Sequence, residues 1–363
     1  MVYSFMLKTA AVVSAVLASI GAASAELKTV KLSHPYGSSA EVFLFGAHLK
    51  SFRAAMDPKM DVLFMSNDSY LDGVNPIRGG IPVVFPNFGG APGFPNHGFA
   101  RITNWTLAGV TEAADKNSPS VAKFTMAASN STRSMWPVEF ELEYEVKLSR
   151  YPLSGQTSGL RSIPVSTDDP RWSDGIFDDD RHFESDAVGS SLSRSQLSDS
   201  RGSFDLSSSG GASHNYLWVD DSRNEGVVVS GLKGVDYFDQ VAKVNKTETR
   251  EYISFGNATQ QTGNTYLNAP DQVVATIKGI NTKDRTVTVQ KNGFISGDDA
   301  VVKTQTDAVV WNPGAERAKK LEDFGDEEYI NMVCIEPGRV SVKQQLPAGQ
   351  TFTLQQNITV TSF

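Results

Sequence analysis

Apolar and polar residues alternate along much of the chain. Within residues 26–150, the stretches ELKTVKLSH, AEVFLFGAHLKSFRA, DVLFMS, ITNWTLAGVTEA, SVAKFTMAA and FELEYEVKLS either alternate or are rich in Val, Phe, Tyr and Thr. A period of two places successive side chains on opposite faces of a strand, so these stretches predict strands. The pattern returns over 214–303 in GVVVSGL, REYISF, QVVATIKGI and RTVTVQKNG, and again in MVCIEPGRV and TFTLQQNITV. AERAKKLE, residues 315–322, is the best short helix. Short strands at turn-spaced intervals with little helix predict an all-β sandwich.

Two regions break the alternation. Residues 72–99 form a long loop rich in glycine and proline. Such a loop inside a strand-rich domain is often functional. Residues 152–212 are dominated by Ser, Asp and Gly, with no sustained period and little to bury. That composition predicts a disordered, low-complexity insertion.

Composition narrows the picture further. The chain has 363 residues, 40% of them hydrophobic, which suits one large core. A formal net charge of -8 excludes nucleic acid as the main partner, because phosphate backbones need a broad basic face. The N-terminus reads as a signal peptide: Lys8, the apolar run AAVVSAVLASIGAA, and the small residues ASA. Cleavage after Ala25 is expected, giving a secreted chain with no membrane attachment and one domain over 26–363, interrupted at 152–212. Six Asn-x-Ser/Thr sequons, at Asn67, Asn104, Asn130, Asn245, Asn257 and Asn357, are acceptors for glycosylation on that route. Cys334 is the single cysteine, so no intrachain disulfide staples the fold. A monomer is expected.

Four stretches carry the candidate chemistry. They are IRGGIPVVFPNFG (77–89) with PNHGFAR (95–101), SMWPVEFELEYEVKL (134–148), HNYLWVDD with GLKGVDYFDQ (214–240), and VVWNPGAERAKKLEDFGDEEYINMVCIEPGRV (309–340). Each alone is weak. In order and spacing together they resemble the glucose-6-phosphate 1-epimerases, or hexose-6-phosphate mutarotases, of the galactose-mutarotase-like superfamily. The resemblance covers roughly 26–150 and 214–360.

That resemblance implies a galactose-mutarotase-like β-supersandwich and interconversion of the α and β anomers of a hexose 6-phosphate. It implies His214 and Glu336 as the acid/base pair. It places Arg78 and Arg101 near the sugar phosphate and His97 against the substrate. It implies no metal and no organic cofactor. The residue types suit the chemistry, because one group must take the proton of the C1 hydroxyl while another protonates the ring oxygen. The expected assignment is Glu336 as base and His214 as acid, reversed on ring closure. Arginine's planar fork suits phosphate.

The residues by themselves leave bland readings open. Glu336 can be a solvated strand-end carboxylate, His214 a structural histidine, and Arg78 and Arg101 surface charges. Trp136 and Trp311 fit the core or a pocket wall, Asp239 a turn, and Asp323 a capped acidic loop. Three departures from the family pattern stand out. Gly263 replaces an aspartate that contacts sugar hydroxyls, with Asn264 as a partial substitute. Gly314 replaces an aromatic and is expected to open one wall. Residues 150–213 replace two core strands, through a foreign insertion or a gene-model error. The alternatives are a secreted carbohydrate-binding protein of the same fold with lost turnover, and an extracellular mutarotase for unphosphorylated sugars.

Overall fold

A computed structural model describes residues 26–150, 158–165, 203–206, 211–297, 300–342, 344–347 and 349–362. The signal peptide expected at 1–25 lies outside the described residues, as does most of the Ser/Asp-rich stretch expected at 152–212.

The chain is built almost entirely of strands. In order they are β1 (Thr29–Ser33), β2 (Ser39–Phe43), β3 (His48–Arg53), β4 (Val83–Val84), β5 (Thr106–Thr111), β6 (Ser120–Ala127), β7 (Glu139–Leu148), β8 (Ser158–Val165), β9 (Ser203–Leu206), β10 (Gly211–Ser213), β11 (Tyr216–Trp218) and β12 (Val227–Ser230). There follow β13 (Asp236–Asp239), β14 (Val244–Thr247), β15 (Tyr252–Ser254), β16 (Thr262–Tyr266), β17 (Gln272–Ile277), β18 (Arg285–Ser296), β19 (Val301–Thr304), β20 (Asp307–Asn312), β21 (Met332–Arg339), β22 (Gln344–Pro347) and β23 (Thr351–Ser362). Two short α-helices, α1 (Asn130–Met135) and α2 (Gly314–Ala318), and two 3-10 turns, Ala100–Ile102 and Glu328–Asn331, are also present among the described residues.

Two large antiparallel sheets carry the fold. One has eight strands, in the order β14-β13-β16-β20-β21-β10-β4 with β11 also paired to β21. The other has ten, in the order β15-β12-β17-β18-β23-β8-β7-β6-β5 with β19 on β18. A three-stranded sheet, β1-β2-β3, stands beside them. Alternation produces the layering directly. In β7, Phe140, Leu142, Tyr144, Val146 and Leu148 are buried, while Glu141, Glu143, Glu145 and Lys147 between them are half-exposed. Each buried side chain of that size contributes about 1.5–3 kcal/mol. Phe85, Phe99, Trp136 and Phe140 lock the glycine-rich loop onto β7, with ring centroids 5.2–5.9 Å apart.

The all-β expectation holds, and four details differ from the sequence reading. DVLFMS makes only isolated bridges, Leu63 to Leu217 and Met65 to Gly79, because it threads between sheets. The helix expected at 315–322 is shorter, ending at Ala318. Helix α1 was not expected; it is nucleated by a capping box between Ser129 and Thr132.

The fourth concerns the strands expected to be replaced over 150–213. Strand β8 sits between β7 and β23, paired from Glu145↔Gly159 to Glu139↔Val165 on one side. The glycine-rich approach to His214 forms β10, paired on both edges with β21 and β4. Alternation could not flag β10, because its three residues, Gly211, Ala212 and Ser213, are all buried.

Candidate active site

The site is built on β21 and its neighbours. Glu336 lies mid-strand opposite Val309 of β20 and has no exposed surface. Strands β10 and β11 both pair with β21, and His214-Asn215 is the break between them. Across the break, Asn215 accepts a bond from the Ile335 N–H at 3.3 Å. The Asn215 side chain donates to Gln356 of β23 at 2.7 Å, tying the two large sheets together. Adjacent residues of extended chain point to opposite sides, so the same break turns His214 the other way.

That turn brings His214 Nε2 to 3.2 Å from Glu336 Oε1. The two are close enough for an ion pair but lie off hydrogen-bond geometry. Both ring nitrogens and both carboxylate oxygens have no hydrogen-bond partner among the described residues. Orphaned buried polar atoms at this density mark a functional site. Burial pushes the carboxyl of Glu336 well above its ordinary range, with the Cys334 thiol opposing. Burial, then Arg78, Arg101 and His48, push the imidazole of His214 well below its own. Both directions favour the neutral forms.

Aromatic and cationic groups close around the pair. The Tyr216 ring lies flat on His214, centroids 4.5 Å apart and planes 5° from parallel. His97 and Trp311 each present edges at 5.9 Å. His97 Nδ1 accepts a bond from the Gly89 N–H at 3.2 Å, which leaves the proton on Nε2 as a donor. Arg78 donates through Nε and Nη2 to the two carboxylate oxygens of Asp323, at 3.1 and 3.0 Å, and through Nη1 to the Tyr216 hydroxyl at 3.0 Å. Arg101 donates to the Asn96 carbonyl at 2.7 Å. It makes no ion pair with a carboxylate among the described residues, and burial followed by the charge of Arg78 pushes its guanidinium down to about 10. His48, buried near Gly80, is pushed down to about 3, by burial first and Arg101 second.

The glycine-rich loops make this crowding possible. His97 has φ 60° and Gly98 φ 70°, and a Cβ on Gly98 would lie 2.1 Å from the Phe85 carbonyl oxygen. Left-handed backbone at a histidine stores strain that the surrounding packing must hold. Gly98→Ala is therefore expected to cost about 3 kcal/mol or more, read as a fall in the denaturant midpoint. An unchanged midpoint would mean that the loop backbone relaxes freely.

All five site residues expected from the sequence fall in one neighbourhood. His214, Glu336 and His97 meet directly, Arg78 reaches them through Tyr216, and Arg101 lies within electrostatic range of His97, His214 and Arg78. Asp323 is not the capped loop residue expected: it is the ion-pair partner of Arg78. Sequence reasoning also passed over Tyr216 and His48. Tyr216 was legible, since two residues on from His214 in extended chain is the same face.

The departures resolve unevenly. Asn264 does not substitute for the missing aspartate, because its amide turns to the Tyr266 hydroxyl at 3.3 Å. A side chain at Gly263 would instead meet Gln240, Gln261 and Trp311, the last at 3.6 Å. Gly314 is required by the chain path: it has φ 65°, and a Cβ there would lie 2.5 Å from the Gln260 backbone.

His214, Cys334 and Glu336 offer donor atoms within 4.8 Å of one another. All three are buried, and burial raises the thiol of Cys334 and the carboxyl of Glu336. A cavity of about 360 Å³ bordered by Phe52, Val146 and Ile358 lies elsewhere; it abuts Arg150, where the described chain breaks off, and has no carboxylate or imidazole in its wall.

Comparison with known proteins places these features in context. The family model for aldose 1-epimerase matches residues 28–165 and 208–359. A protein of Cenchrus ciliaris named "Putative glucose-6-phosphate 1-epimerase" is 29% identical over 328 residues, covering 89% of this chain and 82% of its own. A protein of the same name from Escherichia coli K12 is 28% identical over 338 residues, covering 92% and 91%. The crystal structure of "a putative mutarotase" from Salmonella typhimurium superposes with a TM-score of 0.65 at 25% identity, covering 93% of this chain and 92% of that one.

Proposed function

The chain belongs to the aldose 1-epimerase family, whose members interconvert sugar anomers, and from that premise we propose that its substrate is a hexose 6-phosphate and that His214 and Glu336 move the protons. The observation that carries the substrate reading is Arg101. Arg101 is half-buried, its Nε is buried with no hydrogen-bond partner among the described residues, and it pairs with no carboxylate there, so a substrate anion would supply the missing counter-charge. Arg78 suits this role less well, because Asp323 and Tyr216 already occupy three of its N–H groups. The shared name of the plant and bacterial relatives is consistent with a phosphorylated sugar.

The reaction needs one proton in play. The C1 hydroxyl loses its proton to the base, the ring oxygen gains one from the acid, and the C1–O5 bond breaks to give an aldehyde. Rotation about C1–C2 and the reverse transfers close the ring on the other face. A pair 3.2 Å apart holding a single proton can serve both directions. In the unliganded pocket that proton rests on Glu336. Burial first, and the charges of Arg78 and Arg101 next, hold His214 neutral; an anion beside Arg101 offsets part of the second cause. Substrate binding therefore moves the proton towards His214 and frees Glu336 as the base for the C1 hydroxyl. The neutral His97, with its proton on Nε2, is a hydrogen-bond donor for a sugar oxygen.

The test is selective. Arg101→Gln is expected to weaken use of glucose 6-phosphate by about 2–4 kcal/mol, roughly 30–1000-fold in kcat/KM, and to leave exchange of free glucose nearly unchanged. Anomer-exchange NMR on both sugars measures this. Equal loss on the two would remove Arg101 as the anion site.

We propose also that the chain enters the secretory route, on the leader-like residues 1–25. Five of its six sequons, all but the half-buried Asn357, have exposed asparagines, which is compatible with glycosylation. A mature terminus at Glu26 in a peptide map would support this; a terminus at Met1 would end it.

A further inference from the structure

We propose that Asp323 is a positioning residue for His214, acting through Arg78 and Tyr216. This rests on the reading of His214 and Glu336 as the acid/base pair. A catalytic imidazole is usually aimed by a hydrogen bond on its second nitrogen. Here neither nitrogen of His214 has such a partner among the described residues. Its orientation is set by packing instead: Tyr216 covers one face, and His97 and Trp311 meet it with edges. A stacked ring aims its neighbour only if it is itself fixed. Tyr216 is fixed at its far end, where the hydroxyl accepts from Arg78 at 3.0 Å. Arg78 is fixed in turn by two parallel bonds to Asp323, a fork that sets direction as well as distance.

Asp323 is well placed for that task. The Arg78–Asp323 pair is largely buried, with side chains 20% and 14% exposed. Next to it, Phe324 is buried against Phe64, rings 5.6 Å apart, and anchors the loop independently of the carboxylate. Glu322 and Glu328 bind Tyr70 and Asn67, so the two loops carrying Arg78 and Asp323 are joined at further points. Removing the charge of Asp323 should therefore loosen Arg78 and Tyr216 while the loop stays in place.

The experiment compares Asp323→Asn, Asp323→Glu and Tyr216→Phe with wild type. Three readouts are needed: kcat and KM for anomer exchange, the ¹⁵N and ring-proton shifts of His214, and the melting temperature. Asp323→Asn is expected to lower kcat about 10–100-fold with KM changed less than about 3-fold, because sub-ångström misaim of a catalytic group acts on the reacting state. The His214 ring shifts should move as the stack tilts. Asp323→Glu, which can rebuild the ion pair, should recover part of the loss. Tyr216→Phe keeps the ring but loses its anchor and should fall between. The charged and titratable groups facing His214 are Arg78, Arg101, His48, His97, Tyr216, Cys334 and Glu336. With Asp323 neutral, Arg78 is less offset, and the acid limb of kcat should move to lower pH.

His214 shifts that stay put in both Asp323→Asn and Tyr216→Phe would overturn the proposal, as would a kcat loss that follows only the folded fraction. A wild type without anomer exchange, whose His214 shifts still move on Asp323→Asn, would keep the positioning role and overturn the acid/base reading instead.

Discussion

Glu336→Gln is expected to lower anomer exchange by about 10²–10⁴-fold, the usual effect of removing one positioned acid/base group. The same change should leave the protein at least as stable as before. Glu336 has no exposed surface, and neither of its oxygens has a hydrogen-bond partner among the described residues. Its backbone is held by the β20–β21 ladder whatever the side chain. Glutamine has nearly the same shape and is neutral without having to take up a proton on burial. A large activity loss with an unchanged or raised melting temperature is the signature of a group kept for chemistry at a cost in stability. Activity loss accompanied by unfolding would make Glu336 structural, and full activity would remove it from the reaction.

Acid should unfold the protein early, and this second effect is nearly as large. His48, His97 and His214 are all held below the ordinary histidine value of 6.5, with burial the first cause in each. The sign follows from proton uptake. Below pH 6.5 the unfolded chain binds a proton at each of the three, and the folded chain does not, so stability falls as pH falls. Glu336 works in the opposite direction. Its raised carboxyl is already protonated when folded, while the unfolded carboxyl near pH 5 is not. The net difference is about two protons. At about 1.4 kcal/mol per proton per pH unit, and with the unfolded histidines only half protonated at pH 6.5, the loss between pH 6.5 and 5 is about 3 kcal/mol. Domains are stable by only about 5–15 kcal/mol, so this is a large share. Denaturant midpoints at pH 7.5, 6 and 5 measure it. His48→Asn should roughly halve the slope, and a flat profile down to pH 5 would mean that these histidines protonate without unfolding the chain.

The sequence disclosed those parts of the molecule that depend on local period and short motifs. Alternation found β6, β7, β17, β18 and β21 because each buries one face, or in β21 both. The site histidines, arginines and glutamate were legible only through the resemblance of four short stretches, taken together, to a known family; the residues alone left bland readings open. Contacts between distant loops were not legible. Nothing in EDFGDEE says that Asp323 reaches Arg78, 245 residues away, since that pairing is decided by how two loops fold over one sheet. Strand β10 was hidden for a different reason: it is a three-residue Gly-Ala-Ser segment buried throughout, so it carries no alternation. Asn264 misled because register, not proximity in sequence, decides facing. One step along β16 sends its side chain towards Tyr266 and away from the Gly263 side.

The central claim is that a buried pair holding one proton interconverts the anomers of a phosphorylated hexose. Saturation-transfer NMR on the anomeric protons of glucose 6-phosphate, with free glucose in parallel, tests it most directly. Catalytic amounts of protein are expected to speed exchange of glucose 6-phosphate far beyond its spontaneous rate, and free glucose much less. Exchange of both sugars at their spontaneous rates would contradict it.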